Sequence, residues 1–152
     1  MLALESLSEG GDAREDEVML ELCRSEGRLT EEDVAVWSAK VEDLSGHPGR
    51  ALAILQDAVR SLPESTWIIY PLIALSVKLV PQEETMKIVA HLLERFPEPL
   101  ETRMVALQAY LEMGRATEAR AVAEKIESST PKASRDHRLE RLLQAAHAQK
   151  TQ

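Results

Sequence analysis

Pro63, Pro97 and Pro131 stand 34 residues apart, twice in succession. Proline has a locked φ and no backbone N–H, so it interrupts regular structure, and prolines at a fixed interval mark a chain built from segments of equal length. Other positions keep the same register. Gly46 and Gly114 differ by 68 residues, two periods, and so do Ala51 and Ala119; Leu55, Val89 and Ala123 fall one period apart, as do Ala58, Leu92 and Ile126. A period of this length means supersecondary units that cannot bury their apolar faces alone and must stack on their neighbours.

Within each period the local signals predict two helices. In the third, Met104, Leu107, Tyr110 and Leu111 have helical spacing before Gly114, and Ala119, Val122, Ala123 and Ile126 share one face before Pro131. In the first, Thr30 caps a helix to about Leu44, with Glu31, Glu32 and Asp33 favourable at its positive end. Gly46 breaks that helix and Pro48 opens another, which ends near Ser61. In the middle period the first helix ends near Leu79 and Pro81 starts the second. Aromatics make up only 3% of the chain, its apolar bulk being Leu, Ala, Val, Ile and Met, which agrees with an all-α fold.

With a glycine at the inter-helix turn, an early alanine in the second helix and a closing proline, the pattern resembles the tetratricopeptide repeat family. Gly46, Ala51, Leu55, Ala58 and Pro63 carry the match in the first unit, and Tyr110, Gly114, Ala119 and Pro131 in the third. The middle unit departs from it at Val80, Thr85 and Leu92 but keeps Pro97. The resemblance implies a right-handed α-α superhelix of helix-turn-helix repeats. One domain over 12–150 is then expected: an N-terminal helix at 12–26, repeats at 30–63, 65–97 and 99–131, and a C-terminal capping helix at 132–150, after a flexible 1–11. Asp12 and Glu15 form a capping-box-like start for the first of these, and Gly27 stops it. In the last, Leu139, Leu142, Leu143 and Ala146 form the inward stripe.

The stretch Ser65–Pro81 carries one charge, Lys78, and a central proline, Pro71, but its uncharged part is shorter than a bilayer-crossing helix needs. We expect no membrane insertion. Pro71 leaves the Trp67 carbonyl without a helical donor, so the helix either starts near Pro71 or kinks there. The opening residues have no basic flank or long apolar run, and Cys23 is the only cysteine, so a cytoplasmic protein without disulfides is expected.

Nothing in the sequence nominates an active site. His47, His91, His137 and His147 give no i, i+4 pair, no cysteine cluster joins them, and Gly10-Gly11 follows no strand. The expectation is a non-enzymatic protein with no cofactor or metal. Charge argues against nucleic acid: residues 1–33 hold eleven acids and three arginines, a balance of −8, so residues 34–152 are neutral. The basic residues Lys132, Arg135, Arg138, Arg141 and Lys150 gather at the other end.

The resemblance places ligands in a concave groove lined by the first helices. Its positions here are Val36, Lys40, Trp67, Tyr70, Ala74, Val77, Met104, Gln108 and Leu111. The family's carboxylate clamp would fall on Val36, Lys40, Pro71, Glu101 and Val105, of which only Lys40 is basic, so an acidic chaperone tail is not the expected ligand. An apolar or amphipathic segment of a partner protein suits the row better, making the chain an adaptor or chaperone-like module. The alternative is a self-assembling scaffold, a homo-oligomer joined through its acidic N-terminal and basic C-terminal ends.

Overall fold

The computed structural model describes residues 13–149, and among these the regular structure is entirely helical. The helices are α1 (Ala13–Ser25), α2 (Glu31–Leu44), α3 (Pro48–Ser61), α4 (Thr66–Leu79), α5 (Gln82–Arg95), α6 (Leu100–Glu112), α7 (Ala116–Ser129) and α8 (His137–Ala148), with a 3-10 turn at Lys132–Ser134 before α8. The expected N-terminal segment 1–11, the Asp12 cap and Lys150 lie outside the described residues. No helix described is long and apolar enough to cross a membrane. The chain divides into two compact units between Leu75 and Ser76, inside α4.

Helix ends follow from backbone chemistry. The last carbonyls of a helix lack intrahelical donors, and a residue in the left-handed conformation turns the next amides back onto them. Gly27, Gly46 and Gly114 do this with φ of 64°, 81° and 70°. After α2, the Gly46 amide bonds the Asp43 carbonyl at 3.0 Å and the His47 amide bonds that of Glu42 at 2.8 Å. After α6, Gly114 bonds Leu111 at 3.1 Å and Arg115 bonds Tyr110 at 2.8 Å. At the opposite ends, Thr30 and Asp33 form a reciprocal capping box on α2, and the Asp136 carboxylate accepts from the Leu139 amide of α8 at 2.7 Å.

In the first unit α2 packs against α3, and α1 against α2. Ala39, Ala51, Leu55, Ile68, Leu72 and Leu75 form the core, with Val36, Ile54 and Leu62 among the residues at its edge. Ala51 is fully buried, and a side chain this small lets two helix backbones approach closely.

In the second unit α6 packs against α5 and α7, and α8 packs against both α6 and α7. Leu107, Ala119, Ala123 and Ile126 are fully buried; Leu139, Leu143 and Ala146 of α8 are buried with them, whereas Leu142 is half-buried. The period persists in the burial: Ala51, Thr85 and Ala119 are each 0% exposed, as are Leu55, Val89 and Ala123.

The turn after α4 is built differently. Val80 occupies the register position of Gly46 and Gly114, and no non-glycine residue described has a positive φ. Left-handed backbone is costly for a β-branched side chain, so the chain leaves the helix through Pro81 instead. The buried Thr85 hydroxyl donates to the Ser76 carbonyl at 3.2 Å, and the Val80 amide reaches the same oxygen at 2.9 Å. A side chain supplies here what a turned-back amide supplies in the other hairpins.

Pro71 is the sixth residue of α4, which is helical from Thr66 onward. A start near Pro71 is therefore not what forms. Ser65 provides the first turn, its carbonyl accepting from Ile68 and Ile69 at 3.1 and 3.0 Å.

Candidate binding surface

Of the expected groove positions, Val36 and Lys40 sit on α2 and Trp67, Tyr70 and Ala74 on the part of α4 that belongs to the first unit. Val36 packs at the edge of a core to which Ile68 and Leu72 of α4 also belong, so both helices rest on one apolar cluster. Among the large apolar side chains of this group Trp67 is the most open, 48% exposed. Tyr70, Val36 and Lys40 are half-buried, and Ala74 is exposed. An indole left half in water is unusual for so large an apolar ring and gives this surface an anchor for apolar contact.

Lys40 stands one turn after Val36, and its Nζ lies 4.8 Å from the Trp37 ring centroid, which directs its charge onto that π face. Lys40 is thus occupied locally, and of the clamp positions it alone is basic. Glu101, another position that the resemblance assigns to the clamp, is acidic and pairs with Arg138 at 3.7 Å. The first unit also carries an open apolar depression on another part of its surface, lined by Leu29, Val34, Ala35 and Ile54, with Arg24 and Glu31 among its polar neighbours.

In the second unit the expected positions divide. Met104 is 5% exposed and belongs to the core, because its stripe on α6 faces the same way as Leu107. It leaves little surface for a ligand. Gln108 is exposed and donates to the Glu112 carboxylate at 3.0 Å. Leu111 is half-buried, and its carbonyl accepts from Gln149 Nε2 at 2.9 Å, so the end of α8 reaches onto α6 here. Val77 is half-buried on the last turns of α4.

Several polar anchors of this unit left no mark in the sequence. Arg103, its side chain 15% exposed, donates to the Pro97 carbonyl at 2.9 Å and to Ser129 Oγ at 2.7 Å, tying the turn before α6 to the end of α7. Arg135, 12% exposed, donates to the Thr130 and Glu127 carbonyls, each at 3.0 Å. It is a cationic cap on the negative end of α7. Arg115 and Glu118 form a charge-assisted pair at 2.6 Å, and this hydrogen bond holds the Glu118 carboxyl below the usual range. The Tyr110 phenol is pushed up, first by burial and then by the charge of Glu118. The pair and the phenol adjoin the Gly114 turn, so these groups fix the α6–α7 hairpin.

Comparison of the chain with protein-family models, with curated proteins and with solved structures finds no match in any of the three.

Proposed function

We propose that the chain is a non-enzymatic interaction module of tetratricopeptide-like hairpins, which holds an apolar or amphipathic segment of a partner protein against the face that α2 and the first part of α4 share in the first unit. A cytoplasmic adaptor or chaperone-like role follows from that reading. Trp67 carries it: a half-exposed indole on α4, beside Tyr70 and resting on the same core as Val36. Large aromatics with an apolar body and a polar tip are the side chains that concentrate binding energy in protein interfaces. The 34-residue spacing of the buried positions supports the repeat reading behind it.

A direct test uses the two tryptophans of the chain. Trp37→Phe leaves Trp67 as the only indole reporter, and amphipathic helical peptides selected from a display library on the wild-type protein serve as probes. Binding shifts Trp67 emission to the blue with a saturating isotherm, and Trp67→Ala weakens the same peptides by about tenfold or more while the circular dichroism stays unchanged. Selection that returns only peptides indifferent to Trp67→Ala refutes the reading.

A further inference from the structure

We infer that the outer face of α1 is a docking site for a second copy of this chain, which brings the outer face of its α8. The inner side of α1 is spent within its own unit: Asp16, Leu20 and Cys23 are 3%, 8% and 5% exposed. The other side leaves Val18 70% and Leu22 52% exposed, one helical turn apart. Two large aliphatic side chains aligned on one stripe are a surface with something to gain from being covered, and the exposed Glu17 and Glu21 run beside them, also one turn apart.

The same molecule carries the complement. Leu139, Leu143 and Ala146 turn α8 inward, and Arg138, Arg141, Ala145 and Ala148 share its outward face at i, i+3, i+7 and i+10. Arg135, the other arginine of this segment, is committed to the α7 carbonyls, so Arg138 and Arg141 are the groups turned outward. Arg138 faces Glu101 at 3.7 Å, both about half-exposed, a screened contact that a partner carboxylate can exchange with little cost. Ala145 and Ala148 stand little above the helix backbone and leave room for Val18 and Leu22, while the arginines reach the glutamates. The overall charge asymmetry points the same way, since residues 1–33 carry the whole of the −8. Each chain has one face of each kind, so the contact is heterologous and concentration extends it. Two apolar side chains and exposed charges set a weak association, strengthened at low salt.

The test is sedimentation velocity of the full chain from about 10 µM to about 1 mM at low salt. The weight-average mass of the wild type rises with concentration, and about 0.5 M salt reverses the rise. Glu17→Lys/Glu21→Lys and Arg138→Glu/Arg141→Glu each stay monomeric alone, because each makes its two faces alike in sign, whereas their equimolar mixture associates. Should the second variant fold poorly by circular dichroism, Arg141→Glu alone takes its place. A wild type that stays monomeric at low salt overturns the inference. So does a mixture that fails to associate, or an association that the α8 variant leaves intact, which would mean that α1 faces pair with one another.

Discussion

Replacing Gly114 by alanine isolates the cost of one backbone conformation, because a β-carbon at this position meets no atom within 4 Å. No clash or lost contact confuses the result; the only penalty is φ of 70°. Left-handed backbone costs an L-residue about 1–2 kcal/mol. Alanine also narrows the unfolded ensemble, which offsets about 0.4–1 kcal/mol of that. The net expectation is a loss of about 1 kcal/mol, or a fall in Tm of about 2–4 °C. Gly46→Ala, with φ of 81° and equally open surroundings, should give the same. Gly49→Ala supplies the opposite sign: Gly49 lies in the first turn of α3, its φ is not positive, and its β-carbon also meets nothing, so it gains about 0.5 kcal/mol. Asparagine, which tolerates the left-handed region, should recover part of the loss at Gly114. Urea and thermal melts followed by circular dichroism read all four. If Gly114→Ala and Gly49→Ala move stability in the same direction, the assignment of these turns is wrong.

Thr85→Val keeps the shape of a fully buried side chain and removes only its donor, and because the Ser76 carbonyl retains the Val80 amide, urea melts should show a loss of about 1 kcal/mol and no more. Arg135→Lys retains the charge but not the planar fork that spans two carbonyls; a loss of about 1–2 kcal/mol is expected, with faster amide exchange in the last turn of α7. The depressed carboxyl of Glu118 contributes stability that is present above the ordinary carboxylate range and lost as pH falls through its folded value, so the stability gap between wild type and Arg115→Met should close on acidification. The raised Tyr110 phenol has the reverse sign, its contribution being present below the ordinary phenol range and lost as pH rises toward the folded value, a shift that a spectrophotometric tyrosine titration detects.

Helix ends were legible in the sequence wherever one residue type has one backbone consequence. Gly27, Gly46 and Gly114 stop helices because glycine alone enters the left-handed region without strain, and Pro48 opens α3 because its missing N–H is not needed at the first helical position. Thr30 was readable as a cap, although its partner Asp33 does more than complement the helix dipole, closing a reciprocal hydrogen bond. Legibility falls where the determinant is a side chain reaching a distant backbone. Arg103 meets Ser129 from 26 positions away, and Gln149 meets Leu111 from 38, and a helical period predicts neither. The candidate surface suffers the same limit: an expected groove position names a helix and a register, but only packing decides that Trp67 stays open while Met104 is buried.

The hairpin turn at Val80 has an effect on which sequences the fold accepts. At Gly46 and Gly114 the other side chains carry a conformational penalty, smallest for asparagine, so those positions favour glycine. At Val80 the closure rests on the Thr85 hydroxyl and on Pro81, and the residue at the turn no longer has to adopt a positive φ, while it keeps the amide that reaches Ser76 and the restriction of standing before a proline. The middle hairpin has thereby exchanged one constrained position at the surface for one in the interior. Position 80 should therefore accept residues other than glycine, proline excepted because the amide is used, while residues at 85 that lack the hydroxyl are selected against; at 46 the turn favours glycine, and at 51 a fully buried alanine leaves room only for a small side chain.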